Sequence, residues 1–233
     1  MQIIPGVYLI NGSPYARHQN SYLVHAQGAT LLIDSGDLSD GPCLPEVERN
    51  AARWGFRLED ASHLLVTHAH YDHSSDAAAL QKRGLKVVAS PETERSMAAA
   101  DEMTIAFTVH RPFEPCRADV ILADNERLQI GGLSMRCIAA PGHTAGLVVF
   151  EIQISGELCW FVGDLFVTTQ AHSAVELPFN GSPDFDRAEY IRSMKKLCAL
   201  PCDHLFPGHG PAGIGCGKRL VEMAYTEALM KWR

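Results

Sequence analysis

Short apolar runs alternate with amphipathic segments along this chain, and the alternation predicts strands followed by helices. Many of the runs are rich in Val, Ile and Leu without a polar residue at every second position, which is typical of strands covered on both faces. The runs predict strands over residues 6–10, 21–25, 30–34, 63–67, 86–89, 120–123, 133–139, 147–152, 158–162 and 203–206.

Between these runs, apolar residues recur at intervals of three and four, which predicts helices over residues 45–54, 74–82, 92–100, 185–200 and 217–232. Strands followed by helices occur in both halves of the chain. We therefore expect an α/β layered fold in which two sheets pack face to face with helices outside them. We also expect one domain over residues 1–233.

The bulk composition is typical of a soluble globular protein, with 46% hydrophobic and 20% charged residues. A net charge of −7 without a Lys/Arg run argues against nucleic acid as the main partner. No apolar run approaches the roughly 20 residues of a membrane span. The first twelve residues lack a basic start and the seven cysteines lack paired spacing, so we expect a cytoplasmic protein with free thiols.

A dense group of metal-binding residue types follows the apolar run at residues 63–66, where His68, His70, Asp72 and His73 fall within six positions. In extended backbone, His68 and His70 point in one direction and can chelate a single ion. A turn after them would carry Asp72 and His73 toward a second ion. Further candidates each follow a strand-like run, and they are His143, Asp164 and His209.

Seven such residues suit two divalent ions with positions left open for water and substrate. Asp164 ends the predicted strand 158–162 and is placed to bridge the ions, while His143 would complete the first site and His209 the second. Two ions about 3.5–4 Å apart share a hydroxide, lower its pKa and polarise a carbonyl or phosphoryl oxygen.

With the motif H-x-H-x-D-H followed in order by His, Asp and His, the chain resembles the metallo-β-lactamase superfamily over nearly its whole length. The resemblance implies an αββα sandwich with the site at one edge of the two sheets. Asp34, in Asp34-Ser35-Gly36, matches the family's Asp-x-Gly turn and would orient a ligand from behind. The family pattern assigns one metal to His68, His70 and His143 and the other to Asp72, His73 and His209, with Asp164 as the bridge.

At and after Asp164 the sequence differs from known subgroups of the superfamily, and these differences limit the activities that the resemblance implies. True β-lactamases of this superfamily carry Cys or Ser where Asp164 stands, so antibiotic hydrolysis is not expected. Glyoxalase II-type thioesterases and persulfide-oxidising relatives carry Gly-Cys-Gly after the bridging aspartate, whereas residues 165–169 are Leu-Phe-Val-Thr-Thr. We expect neither subgroup itself but a glyoxalase II-like or lactonase-like branch.

The leading hypothesis is a dinuclear metallohydrolase that cleaves an ester, thioester or lactone bond through a metal-bridging hydroxide. Asp72 would be the catalytic residue that orients the hydroxide or passes a proton to the leaving group. We expect zinc first, although iron and manganese accept the same ligands. Phosphodiester cleavage is one alternative.

Two other classes stay open at this point. His68, His143 and Asp164 alone form a two-histidine, one-carboxylate set, which suits a mononuclear non-haem iron oxygenase of the persulfide dioxygenase type. A regulatory or binding protein that kept the fold and lost turnover is the other.

Three segments are candidates for the border of a substrate pocket, over residues 13–20, 103–115 and 171–183. We expect a small-molecule substrate and no membrane partner, and we leave a homodimer open. The candidate substrate contacts are Tyr15, His18, His172 and Phe179.

Overall fold

Two sheets face each other in the computed structural model, which describes residues 1–12, 18–36 and 43–232. The first sheet has seven strands in sequence order. Strands β1 to β4 run antiparallel, and β4 to β7 run parallel to one another. The strands are β1 (Gln2–Ile4), β2 (Val7–Asn11), β3 (Ser21–Ala26), β4 (Ala29–Ile33), β5 (His63–Leu65), β6 (Lys86–Ala89) and β7 (Val120–Ile121).

The second sheet has five strands in the order β14-β11-β10-β9-β8. Its strands are antiparallel except for β14, which lies parallel to β11. They are β8 (Arg127–Ile130), β9 (Leu133–Ala139), β10 (Val148–Ile154), β11 (Glu157–Gly163) and β14 (His204–Pro207). A small hairpin of β12 (Val167–Thr168) and β13 (Val175–Glu176) follows β11.

Helices cover the outer face of each sheet. Against the first sheet lie α1 (Leu44–Ala52), α2 (Tyr71–Ser74), α3 (Ala77–Lys82) and α4 (Pro91–Ala99), and against the second lie α5 (Arg187–Leu197) and α6 (Gly217–Lys231). Short 3-10 turns occupy Leu58–Asp60, Glu102–Thr104 and Ala106–Val109.

The apolar side chains form three layers, and the central strands contribute to two of them. In β4, Leu31 and Ile33 point into the core between the sheets, whereas Leu32 points toward the helices. In β10, Phe150 lies between the sheets and Val149 packs against the layer of α5 and α6. Both faces of these strands are therefore buried, which explains their unbroken apolar runs and confirms the expected αββα sandwich.

Tertiary contacts changed two of the predicted elements. The predicted helix 74–82 is divided between α2 and α3, because Asp76 accepts a hydrogen bond from Ser35 Oγ at 2.8 Å and donates its backbone N–H to Ser35 O at 3.2 Å. The predicted helix 185–200 begins later, at Arg187, because the Asp186 carboxylate caps it by accepting from the backbone N–H of Glu189.

The apolar pattern did not predict four short strands, namely β1, β8, β12 and β13. They have two to four residues each, and pairing with a neighbouring strand defines them. All seven cysteines are free thiols, as expected. Among the helices of the described residues, none combines the length and the apolar character that crossing a membrane requires.

Candidate metal centre

The strand directions bring the seven predicted ligands to one edge of the sandwich. In the second sheet, β9, β11 and β14 run in the same direction, so the segments after them meet at one end. These segments carry His143, Asp164 and His209. The remaining ligands follow β5 of the first sheet, and a backbone bond from Val148 N to Thr67 O joins the two sheets at this edge.

The first group of potential ligands consists of His68, His70, His143 and Asp164, whose ligand atoms all lie within 4.8 Å of one another. His143 Nε2 lies 3.1 Å from His70 Nδ1 and 3.7 Å from Asp164 Oδ2. Two nitrogens bound to one tetrahedral zinc ion at its usual bond length would lie about 3.3 Å apart. The spacing of the group therefore suits one ion.

The second group consists of Asp72, His73, Asp164 and His209, again with ligand atoms within 4.8 Å. His209 Nε2 lies 3.3 Å from both Asp72 Oδ2 and Asp164 Oδ2. His73 Nε2 lies 3.6 Å from Asp72 Oδ2. Asp164 belongs to both groups, and it is the residue expected from the sequence to bridge.

Three of these ligand atoms lack a hydrogen bond within the described part of the chain. His68 Nε2, His73 Nε2 and Asp164 Oδ1 are buried without a hydrogen-bond partner among the described residues. His73 Nε2 and Asp164 Oδ1 lie 3.1 Å apart but lack the alignment of a hydrogen bond. Because an unpartnered buried polar atom is costly, the arrangement fits a site built to coordinate metal.

The far ring nitrogen of His73 is held by Asp34. Asp34 Oδ2 lies 2.9 Å from His73 Nδ1 and accepts a hydrogen bond from Thr67 Oγ1 at 2.8 Å, while its Oδ1 accepts from the backbone N–H of Thr67. Asp34 adopts a left-handed backbone with φ 54°, which turns its carboxylate under the ligands. The structure thus places Asp34 behind a ligand, where such contacts orient the imidazole.

Two residues predicted as substrate contacts hold ligands through their backbone. His143 Nδ1 lies 2.9 Å from the carbonyl oxygen of Phe179, and His209 Nδ1 lies 2.9 Å from that of His18. The Phe179 and His18 side chains are exposed. Their role as substrate contacts stays a prediction, and the structure adds a role in orienting ligands.

Two glycines permit the close approach of the Pro-Gly-His turns. A Cβ at Gly208 would lie 2.3 Å from Asp164 Oδ1 and 2.5 Å from His73 Cε1. A Cβ at Gly142, where φ is 138°, would lie 2.3 Å from Cα of Tyr190 in α5. A side chain at either position would force the turn or the groups packed against it to shift.

The histidines of the first group are held neutral. Burial, followed by the neighbouring histidines, lowers the pKa of His68 well below its ordinary value. Burial and the charge of His143 lower the pKa of His70 to about 3. Burial also lowers the pKa of His143, against the opposing charge of Asp164. Neutral imidazoles are the form that binds a metal.

The second group has the opposite electrostatics. Burial works against protonation of His73, yet the charges of Asp164 and Asp72 hold its pKa well above the ordinary value. Burial is likewise outweighed at His209, where Asp164 raises the pKa to about 10. Despite burial, the charges of His209 and His73 hold the pKa of Asp164 well below its usual range.

Other predicted pocket residues lie further from the ligands. Tyr15 lies outside the described residues. His172 lies at the tip of the β12–β13 hairpin, where its carbonyl accepts a hydrogen bond from Arg219 at 3.2 Å, and its contact with substrate stays a prediction. In the segment 103–115, Met103 lines a cleft of about 210 Å³ beside Ala69 and Thr144, whereas Phe113 is buried against Tyr71.

Sequence reasoning missed three residues that support the ligands. Ser182 Oγ lies 3.2 Å from His70 Nε2 and donates to Asp184 Oδ1. Thr67 Oγ1 lies 3.1 Å from His68 Nδ1. Asn20 holds the turn that carries His209. Thr67 adjoins the histidine motif, which could have indicated it. Asn20 and Ser182 lie in the candidate pocket segments 13–20 and 171–183, but nothing in the sequence marked either of them as a support for a ligand.

Comparisons with known proteins agree with the motif. The profile of the metallo-beta-lactamase superfamily matches residues 14–209. A hydroxyacylglutathione hydrolase of Cereibacter sphaeroides is 33% identical over 193 residues, which are 81% of this chain and 61% of the relative. A thioesterase of Emericella nidulans is 26% identical over 205 residues, which are 86% of this chain and 48% of that protein. The chain thus spans about half to three fifths of the length of these curated relatives.

Solved structures share the fold at low identity. A metallo-beta-lactamase of Cronobacter sakazakii superposes with a TM-score of 0.77 at 21% identity, covering 99% of this chain and 93% of that one. A metallo-beta-lactamase family protein of Thermus thermophilus gives a TM-score of 0.78 at 21% identity, covering 98% and 81%. At this identity the likeness concerns the sandwich and leaves the substrate open.

Proposed function

This chain belongs to the metallo-beta-lactamase superfamily, and on that premise we propose that it is a hydrolase with two divalent metal ions that cleaves an ester, thioester or lactone bond. The observation that carries the proposal is the pair of ligand groups joined at Asp164. Zinc is the ion we propose, because five imidazoles and two carboxylates suit its preference for nitrogen and oxygen ligands.

Among the three bond types, the thioester has the most support. The relatives named as thioesterases and as hydroxyacylglutathione hydrolases include proteins from fungi and bacteria. Esters, thioesters and lactones share the electrophilic carbonyl that such a centre would act on, so the three substrate types remain one chemical class. We place thioesters first within that class.

When bound, two divalent ions lower the pKa of a coordinated water and polarise the substrate carbonyl. The protein's part is to hold their ligands still, through Asp34 at His73 and the carbonyl of Phe179 at His143. Asp72 is the proposed acid–base group. In the metal-free protein burial opposes ionisation of Asp72, but the charge of His73 and the hydrogen bond from His209 lower its pKa, so the carboxylate is present in the form that binds metal or accepts a proton.

The oxygenase alternative would leave half of the centre unused. A single iron held by His68, His143 and Asp164 would not need the second group, yet the ligand atoms of Asp72, His73 and His209 also converge. This convergence supports a second ion, and residues 165–169 also lack the Gly-Cys-Gly sequence of the persulfide-oxidising relatives.

The test combines elemental analysis of freshly purified protein with an anaerobic screen of thioesters, esters, lactones and phosphodiesters. We expect two divalent ions per chain and thioester turnover without oxygen. One iron per chain with thiol-dependent oxygen uptake would overturn the proposal in favour of the oxygenase. Turnover of phosphodiesters alone would replace the proposal with a phosphodiesterase. Two bound ions without turnover of any substrate would favour a regulatory or binding protein.

A further inference from the structure

The turn that carries His209 is tied to the start of β3 by a compact set of hydrogen bonds. The Asn20 side-chain Nδ2 donates to Pro207 O at 2.9 Å and to Gly210 O at 2.7 Å. These two carbonyls flank His209 on either side in the sequence. The backbone N–H of Asn20 also donates to Gly208 O at 2.7 Å. One buried residue therefore holds three of the four carbonyls in the turn from Pro207 to Gly210.

Neighbours of Asn20 complete the contact. The Tyr22 hydroxyl donates to Pro207 O at 2.7 Å, and its ring packs edge-on against Phe161 and Phe206 of the second sheet with ring centres 5.5 Å away. On the other side of Asn20, the carbonyl of His18 lies 2.9 Å from His209 Nδ1. The segment from His18 to Tyr22 thus contacts both the backbone of the turn and the ring of the ligand.

His209 is the ligand with the greatest need of such support. Its side chain is 21% exposed, whereas those of His73 and His143 are fully buried. Packing alone therefore restrains it least. The hairpin strand β12 adds a backbone bond from Thr168 N to His209 O, at a longer 3.4 Å, and a bond from the Thr168 hydroxyl to Pro211 O, which follows the turn.

We propose that Asn20, assisted by Tyr22, is a positioning residue for the second metal ion and acts as a clamp that fixes the Pro207–Gly210 turn. The inference rests on the proposed dinuclear function. It goes beyond that function because it assigns part of the affinity for the second metal ion to Asn20, the residue directly before β3. Asn20 touches neither substrate nor ion in this scheme. Its effect reaches the metal through the backbone of the turn.

A clamp of this kind has a selective signature. Loss of Asn20 should lower the affinity for the ion held by Asp72, His73 and His209. The affinity for the ion held by the first ligand group should stay unchanged. Supporting contacts around metal ligands commonly contribute about 10- to 100-fold in affinity. A residue that only stabilised the fold would change both binding steps or neither.

The experiment is a stepwise titration of metal-free protein with zinc, followed by calorimetry, for the wild type, Asn20→Ala and a control. The control is Asn50→Ala, because Asn50 is also a buried amide that donates to a carbonyl, Ile10 O at 3.0 Å, but it lies in α1 away from the turn. We define the second step as the one that His209→Ala abolishes, and we expect it to weaken by about 10- to 100-fold in Asn20→Ala. The first step, and both steps of the control, should stay within about twofold of the wild type.

Tyr22→Phe provides a milder variant in case Asn20→Ala does not fold, because it removes only the hydroxyl, which donates to Pro207 O and accepts from Asn20 Nδ2 at 3.1 Å. It should weaken the second step in the same direction and by less. An unchanged second step in a folded Asn20→Ala, or an unchanged one in Tyr22→Phe if the alanine variant is unfolded, would overturn the clamp while leaving the dinuclear function standing. A wild type that binds one zinc ion would overturn both.

Discussion

The two halves of the metal centre share Asp164 and differ in charge. In the first group, His68, His70 and His143 are buried beside one another, and their pKa values are lowered. In the second group, His73 and His209 face two carboxylates, and their pKa values are raised. The first group is thus a set of neutral donors, whereas the metal-free second group is a set of ion pairs.

If both groups bind metal as proposed, two neighbouring sites with similar ligands would do so under different conditions. A metal ion entering the first group displaces few protons, because its imidazoles are already neutral. An ion entering the second group must displace the protons that Asp72 and Asp164 stabilise on His73 and His209. We therefore expect the first group to fill first as pH rises.

The largest effect should come from Asp164→Ala, which removes the one residue common to both groups. The affinity for both metal ions should fall. The activity should fall by more than about 100-fold, which exceeds the usual cost of losing a supporting contact. Elemental analysis and hydrolysis rates measure the two effects. Asp124→Ala is the control, since Asp124 is a carboxylate paired with Lys196 at the surface. Full activity with two ions retained would remove Asp164 from the bridge.

His209→Ala should separate the halves, because His209 belongs to the second group alone. We expect the bound metal to fall from two ions per chain to one, with the remaining ion held as tightly as in the wild type. His143→Ala is the matched variant for the first group. Equal weakening of both ions by His209→Ala would contradict the division into two groups.

The next effect in size is a difference between the two metal-binding steps in their dependence on pH. Below a pKa of about 10, protons on His209 compete with the second ion, so its affinity should rise by about tenfold per pH unit for each proton displaced. The pKa of about 3 at His70 implies that protons do not compete there near neutral pH. Calorimetry in buffers of different ionisation enthalpy counts the protons. Equal proton release in both steps would contradict the charge difference.

The smallest effect should come from Ser182→Ala, which removes the hydroxyl 3.2 Å from His70 Nε2. We expect the first ion to weaken by about tenfold or less, the low end for a supporting contact, with the second ion unchanged. A stepwise zinc titration measures it. Ser62→Ala is the control, because the Ser62 hydroxyl also donates to a backbone carbonyl, Thr30 O at 3.3 Å, but lies before β5, at the opposite end of that strand from the ligands.

The elements that could be predicted are those whose residue pattern follows from burial or from metal-binding chemistry alone. The central strands are buried on both faces, so their apolar runs were recognisable, and the motif around His68 is dense in metal-binding residue types. Short pairing segments such as β1 and β12 could not be predicted, because partner strands define them. The break between α2 and α3 depends on the contact of Asp76 with Ser35, which are 41 residues apart.

The amino-acid sequence by itself determined the strand and helix types, the family and the seven candidate ligands, because these depend on residue chemistry and short-range order. Apart from Asp34, which the family motif indicated, the groups that stand behind the ligands were set by tertiary contacts. The carbonyls of His18 and Phe179, the hydroxyl of Ser182 and the amide of Asn20 reach the centre across 36 to 191 positions of the chain. Backbone carbonyls are identical in every residue, so no local pattern marks the ones that hold a histidine, and folding alone selects them.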